Sequence, residues 1–284
     1  MRPYLVEREM HVRDLGFLED PFSPFSDSHL FCPVSPHTAV LEGVKSVVEK
    51  GLGFCVVTGS EGMGKSILAN RLVSYFLGRP NDFRAAFVYD SVGQLDTENG
   101  MMIALSDALG VSRKRSAEKQ HLGIIEEMKI YHSVAPNVFV IVIDTNLKIS
   151  RKVLSWLSNI ARESCPVVLF SRFSVDDEPR KGSGTISIDF QASLSSLTMK
   201  DAWEIVRYRC SSVSQPIRLF EGEVFRYVWD ASNGVPSNVI DICSILLDKV
   251  TDLTMVPISL DIVNQTLLEM SNGSENEARA LLPL

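Results

Sequence analysis

A run of residues from Gly59 to Ser66 has the types and spacing of a phosphate-binding loop. It reads GSEGMGKS and fits the pattern G-x-x-x-x-G-K-[ST]. Glycines in such a loop let the backbone turn its N–H groups inward around a polyphosphate at a helix N-terminus. Lys65 would reach the β and γ phosphates, and the hydroxyl of Ser66 would be a ligand of Mg²⁺. The residues expected to contact nucleotide here are Gly59, Ser60, Glu61, Gly62, Met63, Gly64, Lys65, Ser66 and Ile67.

A second pattern ends in the carboxylate of Asp144. Asn137 to Asp144 read NVFVIVID, an apolar run typical of a parallel strand buried on both faces, and its Asp is a Walker B candidate for holding Mg²⁺. Many ATPases with this pair of motifs have Glu next, but here the next residue is Thr145, which cannot act as a general base near neutral pH. The pattern favours nucleotide binding with weak or absent hydrolysis. The alternative is that Glu61 or Asp90 positions the attacking water.

The elements that must position these residues alternate between strands and helices. Strands are predicted at 54–58, 84–90, 137–144, 166–170 and 185–190, and helices at 67–72, 99–109, 122–131 and 149–163. From Thr198 onward the pattern is helical only, with a capping-box start at Thr198 and further helices near 221–231, 236–250 and 259–270. The polar stretch after residue 272 is expected to be disordered. This order predicts an α/β parallel-sheet domain followed by a small helical domain.

Composition excludes several classes of protein. The chain has 284 residues, of which 45% are hydrophobic and 22% charged, with a net charge of −7. No window approaches a membrane-spanning apolar run, and the charged N-terminus does not fit a signal peptide, so a cytoplasmic protein is expected. The five cysteines are scattered without a C-x-x-C pair, which favours buried thiols in a reducing compartment. The acidic balance argues against broad, non-specific adhesion to nucleic acid, although a local basic patch remains compatible with it.

The segment from Leu15 to Leu41 carries a more specific pattern. It contains Gly16-Phe17, Pro21-Phe22, Asp27, Leu30-Phe31 and Ser35-Pro36-His37 before a helix. In these residues the chain resembles the ExeA/GspA-type branch of the AAA+ ATPases, which includes transposition regulators similar to TnsC, TniB and MuB. The resemblance covers about Leu15 to Val250.

The resemblance implies a P-loop AAA+ domain with a helical lid, ATP and Mg²⁺ as ligands, and nucleotide-dependent assembly into a ring or filament. The implied boundaries are an N-terminal segment packing on the nucleotide site (1–45), the α/β AAA+ domain (46–192), the lid (193–272) and a disordered tail (273–284). Leu30 and Phe31 are candidates for an apolar wall against adenine. The alternative for these two residues is plain packing beneath the N-terminal segment.

Three positions depart from the family pattern. Thr145 replaces the usual Glu, Ser171 replaces a polar amide at the end of the next strand, and Ser237 stands where relatives have the arginine of a G-[IV]-P-R motif. Each change removes charge or polarity that favours phosphoryl transfer, which is a second reason to expect slow turnover. An arginine from a neighbouring subunit, Arg172 or Arg180, is an alternative source of such charge.

Four basic residues are the feature of the sequence that bears on a binding partner. Arg113, Lys114, Arg115 and Lys119 lie where DNA-binding relatives present basic residues to a duplex, and such residues would contact phosphates in a salt-dependent way. A solvated loop is the alternative. The resemblance therefore predicts a DNA-associated oligomer that recruits a partner protein, as transposition regulators do. The alternative is an ExeA/GspA-like ATPase of secretion or pilus biogenesis.

Overall fold

The computed structural model describes residues 3–23, 30–89, 95–134, 138–173, 186–213 and 218–280. Asp27, Asp90, Asn137, Arg180 and Thr185, which carried predictions, lie outside the described residues. The chain forms two compact units. An α/β unit consists of residues 35–195, and a helical unit combines residues 1–34 with residues 196–284.

The helices are divided between the two units. In chain order they are α1 (Pro3–Asp14), α2 (Ser35–Val48), α3 (Lys65–Leu77), α4 (Glu98–Leu109), α5 (Ala117–Val134), α6 (Arg151–Glu163), α7 (Met199–Val213), α8 (Gly222–Ser232), α9 (Pro236–Lys249) and α10 (Leu260–Ala280). Helices α2 to α6 belong to the α/β unit, and the others belong to the helical unit. The predicted change from alternating strands and helices to helices is therefore confirmed within the residues that the structure describes.

A parallel five-stranded sheet forms the centre of the α/β unit. Its strands are β1 (Phe54–Gly59), β2 (Phe83–Tyr89), β3 (Val138–Thr145), β4 (Val167–Ser171) and β5 (Phe190–Leu194). They lie in the order β2-β3-β4-β1-β5, and each neighbouring pair is parallel. Almost every residue of β1, β3 and β4 is buried, as expected for apolar strands covered on both faces. Because the strands run in one direction, the residues that follow them meet at one edge of the sheet.

Hydroxyl side chains set the start of two helices that connect these strands. Thr97 Oγ1 accepts a hydrogen bond from the N–H of Gly100 at the start of α4. Ser150 Oγ does the same for Val153 at the start of α6. Such caps satisfy backbone donors that a helix leaves unpaired in its first turn. Both helices lie within two residues of their predicted bounds, which were inferred from apolar spacing and not from these caps.

The last strand of the sheet does not lie where the sequence predicts it. The alternating residues 185–190 predict a strand, but β5 begins at Phe190 and pairs with β1 from Cys55 onward. Asp189 instead accepts a hydrogen bond from the N–H of Phe54 through its carboxylate, at 2.8 Å. Ile186 and Ile188 are only partly buried and pack against the sheet core. Their alternation therefore reflects side-chain packing of a segment that precedes the strand.

The helical unit has an apolar core of its own. Phe225 of α8 is fully buried, and its ring centre lies 4.9 Å from that of Trp203 and 6.0 Å from that of Phe220. At the start of α7, Thr198 Oγ1 accepts a hydrogen bond from the N–H of Asp201 and its hydroxyl donates to the Asp201 carboxylate. Thr198 therefore caps α7 as the sequence predicts, but the Asp201 carboxylate accepts from the Thr198 hydroxyl and not from its backbone N–H as in a full capping box.

The segment predicted as one piece, residues 1–45, is divided between the units after Val34. Leu15, Phe17 and Phe22 are buried in the core of the helical unit. Arg8 of α1 donates to the carboxylates of Asp20 and Asp248, which ties the N-terminal helix to α9. Helix α2, by contrast, packs on the sheet, where the ring of Phe190 lies so close to Gly43 that an added Cβ would meet it at 2.2 Å. The apolar spacing before Val34 thus serves the helical core.

Helix α10 runs to Ala280, into the stretch that the sequence predicts to be disordered from residue 273. A helix that has already formed extends at little cost, because nucleation is the unfavourable step, and Glu and Ala in this stretch favour helix. None of the helices in the described part of the chain combines the length and apolarity needed to cross a membrane.

Candidate nucleotide-binding site

The phosphate-binding loop joins β1 to α3. Gly59 is the last residue of β1, and α3 begins at Lys65, with Gly64 as its N-cap. Gly62 and Gly64 have φ values of 77° and 90°, which L side chains rarely adopt. The backbone therefore favours glycine at positions 62 and 64, and the loop ends at a helix N-terminus, where N–H groups are available to an anion.

Lys65 folds into this loop. It is 5% exposed, and its ammonium donates hydrogen bonds to the carbonyl oxygens of Gly59 and Ser60, both at 2.8 Å. Burial lowers the pKa of Lys65, while the negative charges of Asp144 and Glu61 raise it. A buried ammonium held by two carbonyls lacks a full counter-charge, so this position favours an arriving anion.

Ser66 and Asp144 meet at the same loop. Asp144 is 3% exposed and its pKa is raised by burial, while the hydrogen bond from the Ser66 hydroxyl and the charge of Lys65 lower it. One carboxylate oxygen, Oδ2, is buried without a hydrogen-bond partner. Buried polar atoms are rarely unsatisfied, and a hydroxyl beside a carboxylate is an oxygen donor set suited to Mg²⁺. The residues present therefore fit a magnesium ion.

Strand register brings the remaining predicted residues to this edge. Ser171, the last residue of β4, aligns with Thr58 of β1 on one side and with Thr145 of β3 on the other. Both Ser171 and Thr145 are almost fully buried. Ser171 Oγ accepts a hydrogen bond from the N–H of Phe173, and Thr145 Oγ1 accepts one from Leu147. Each hydroxyl stabilises the turn that follows its own strand, and neither is a base at neutral pH.

Glu61, one alternative for positioning water, faces another residue. Its carboxylate lies 3.7 Å from the guanidinium of Arg172, and its side chain is 79% exposed. Asp90, the other alternative, lies outside the described residues. Arg172 is thus found beside the loop of its own subunit, whereas the sequence offered it only as a source of charge for a neighbouring subunit.

Two more residues of the loop and its helix have packing roles. Met63 is 8% exposed, and its N–H donates to the Ser60 carbonyl at 3.4 Å. The side chain of Ile67, at the start of α3, lies beside Gly64, where an added Cβ would meet its Cγ2 at 3.5 Å. These contacts place the two apolar side chains against the turn.

Sequence reasoning assigned no role to His37 at this loop. His37 lies near the start of α2 and is 5% exposed, and its ring nitrogen Nε2 would be 3.5 Å from a Cβ placed on Gly64. The imidazole therefore packs against the N-cap glycine of α3. The sequence pointed to this residue only through the Ser35-Pro36-His37 motif, which does not indicate that His37 contacts Gly64.

Other predicted residues belong to the helical unit. Leu30 and Phe31 are 2% and 6% exposed, and Leu30 lies in the core of that unit. Contact with adenine remains a prediction for both. Ser237 is in the first turn of α9, which begins with Pro236 after the left-handed Gly234.

The basic residues 113–115 lie in the exposed connection between α4 and α5, and Lys119 is exposed in the first turn of α5. Arg113 pairs with Asp107 at 2.8 Å, so part of its charge is compensated. Buried Gln120 holds the connection in place, because it accepts from the N–H of Lys114 and donates to Ser106. Lys114 and Arg115 are therefore presented to solvent on an ordered turn.

No protein-family model matches the sequence, and no curated protein is significantly similar to it. The structure, however, is similar to solved structures. Cdc6p from Pyrobaculum aerophilum matches with a TM-score of 0.64 and 14% identity, over 82% of this chain and 66% of that one. The ORC1 protein of Aeropyrum pernix in complex with DNA matches with 0.62 and 15%, over 93% of this chain and 72% of that one.

Drosophila ORC bound to DNA matches with a TM-score of 0.62 and 16% identity, over 99% of this chain and 77% of that one. The chain thus spans just under two thirds of the length of the Cdc6p structure. At these identities the similarity establishes the fold, and the ExeA/GspA-type branch stays a prediction. The fold is that of the AAA+ P-loop ATPases.

Proposed function

We propose that this chain binds ATP with Mg²⁺ and uses the nucleotide as an assembly switch, with slow or absent hydrolysis. One observation carries the proposal. At a single edge of the sheet, Lys65, Ser66 and the unsatisfied carboxylate of Asp144 lie together, while the residue after that carboxylate is Thr145. The groups that hold a nucleotide are present, and the usual group that activates water is replaced.

The loop from Gly59 to Ser66 would hold the phosphates through its backbone N–H groups and through Lys65. Ser66 and Asp144 would hold Mg²⁺, which neutralises phosphate charge when bound. Lys65 would then exchange two carbonyl partners for phosphate oxygens. The choice of adenine and its contact with Leu30 and Phe31 are proposed from the family resemblance.

Slow turnover follows from the chemistry of three side chains. Thr145 and Ser171 are buried hydroxyls that accept hydrogen bonds from their own turns, and neither takes a proton from water near neutral pH. Ser237 carries no charge where relatives have arginine. Loss of one arginine can lower phosphoryl-transfer rates by about three to five orders of magnitude.

A nucleotide that is held and not rapidly consumed can stabilise an assembled state by mass action. We propose that the assembly is a ring or filament of this chain on duplex DNA that recruits a partner protein, as in transposition regulators. Two features support this proposal. Lys114, Arg115 and Lys119 are exposed around an ordered turn, and two of the structurally similar proteins were solved with DNA.

Light scattering after size exclusion tests the proposal, with ATP-Mg²⁺, duplex DNA, both or neither, and with phosphate release followed in the same samples. We expect a large species only when ATP and DNA are both present, with little phosphate released. Lys65→Ala should form no such species. Rapid turnover that does not respond to DNA would contradict both the hydrolysis and the partner parts of the proposal.

A further inference from the structure

Arg172 occupies a particular place at the sheet edge. It directly follows Ser171, the last residue of β4, and β4 lies between the strand that enters the phosphate loop and the strand that carries Asp144. A side chain on this residue therefore leaves the sheet between the two halves of the candidate site.

The guanidinium of Arg172 faces the phosphate loop. Its Nη1 lies 3.7 Å from Oε2 of Glu61, the third residue of that loop. The two side chains are 51% and 79% exposed. An ion pair this exposed and this long contributes little to stability, so a stronger anion can displace the carboxylate.

A second cation lies nearby. Lys65 of the same loop is buried, and its ammonium donates hydrogen bonds to the carbonyl oxygens of Gly59 and Ser60. Like charges at one loop repel each other unless an anion lies between them. A bound polyphosphate would relieve this repulsion, and a terminal phosphate would relieve it most because it adds the most charge.

We propose that Arg172 recognises the terminal phosphate of a nucleotide bound in its own subunit, leaving Glu61 to do so. The inference rests on the proposed nucleotide binding and deepens it, because it makes the site selective for triphosphate over diphosphate. Arginine is suited to this role, since its guanidinium pairs with phosphate through two parallel hydrogen bonds.

The test is the ratio of dissociation constants for ADP and for a non-hydrolysable ATP analogue, measured by calorimetry with Mg²⁺. We expect the wild-type protein to favour the analogue. Arg172→Ala should reduce that preference about tenfold, the value of one charge-assisted hydrogen bond, and leave ADP affinity nearly unchanged. Arg172→Lys should retain part of the preference.

A matched control is Arg162→Ala. Arg162 is exposed in the last turn of α6, which runs back from the end of β3 towards the start of β4, at the opposite edge of the sheet. The Arg162→Ala substitution removes one positive charge from the same unit, as Arg172→Ala does. It should leave the ratio of the dissociation constants for ADP and the ATP analogue unchanged. Glu61→Gln removes the competing carboxylate and should raise the preference for triphosphate.

Mixing two variants separates action within one subunit from action across subunits. Lys65→Ala subunits keep Arg172 but lack the loop lysine. Arg172→Ala subunits keep the loop lysine but lack Arg172. If Arg172 acts within its own subunit, the mixture should not recover the lost preference. Recovery would overturn the inference in favour of a neighbouring subunit.

The outcomes for this inference and for the proposed function differ. Wild-type protein that binds neither nucleotide would overturn the proposed function and this inference together. Wild-type protein that binds both nucleotides, with a full preference for triphosphate retained in Arg172→Ala, would overturn only the role of Arg172. A wild-type protein without preference for the analogue would do the same.

Discussion

Two sets of residues share the edge of the sheet and differ in what they can do. Lys65, Ser66 and Asp144 combine an ammonium, a hydroxyl and a buried carboxylate with one unsatisfied oxygen. Thr145 directly follows Asp144 at the end of β3, and Ser171 aligns with it at the end of β4. The hydroxyls of these two residues stabilise the turns that follow their strands. In the proposed function, binding and hydrolysis therefore depend on different side chains at the same edge of the sheet, so one can be lost while the other is kept.

Removing the ammonium of Lys65 should have the largest effect, which is a loss of nucleotide binding. Lys65→Ala is expected to weaken binding of an ATP analogue about a thousandfold, because a buried cation then no longer meets phosphate. Calorimetry measures the loss. Lys50→Ala, at an exposed lysine just after α2, is the control and should bind normally. Binding that survives in Lys65→Ala would remove the loop from the proposed site.

Adding a carboxylate at position 145 tests whether hydrolysis is slow because a general base is absent. Thr145→Glu is expected to raise phosphate release by about a hundredfold if the absent carboxylate limits turnover. Thr145→Gln has a similar shape without the charge and should give no increase. If neither variant turns over faster, the arginine position is limiting, and Thr145→Glu combined with Ser237→Arg should then restore activity.

Asp144→Asn should affect binding and stability in opposite directions. The Mg²⁺-dependent part of ATP affinity is expected to fall about tenfold to a hundredfold. Without ligand, the melting temperature at neutral pH should rise, because burial raises the pKa of Asp144 and its ionised form destabilises the folded state.

The pH dependence of stability provides the check. A carboxyl group whose pKa is raised on folding contributes most below its unfolded pKa of about 3.9, and this contribution is lost as pH rises through the folded value. The difference in melting temperature between wild type and Asp144→Asn should therefore grow with pH in that range. Asp261→Asn, at an exposed aspartate of α10, is the control. Equal melting temperatures at all pH values would contradict the destabilising role of Asp144.

The smallest effects are expected at the basic connection. Lys114→Ala or Arg115→Ala should weaken DNA binding a few-fold and reduce the salt dependence by about one phosphate contact. Arg113→Ala should have less effect, because Asp107 already compensates its charge. Fluorescence anisotropy over a salt series measures both quantities, with Lys129→Ala on α5 as the control. An unchanged salt slope in all three variants would place DNA elsewhere.

Local patterns explain which predictions were accurate. The loop, β3 and the starts of α4, α6 and α7 depend on contacts between residues close in sequence, such as Thr198 with Asp201. The strand at 185–190 was wrong because alternation alone cannot show which residues pair with β1. Residues 1–45 were predicted as one segment, but the structure assigns residues 1–34 and 35–45 to different units. The spacing of apolar residues shows that they are buried, and it does not show in which core.

The sequence by itself determined the phosphate loop, the buried strand that ends at Asp144 and the absence of a carboxylate at Thr145. Consecutive residues carry these features, so no distant partner is needed to define them. Only the tertiary structure decided that Ser66 meets Asp144, that Arg172 faces Glu61 and that His37 packs on Gly64. These contacts join segments far apart in the chain, and they form because the parallel pairing of β1, β4 and β3 fixes which strand ends lie side by side.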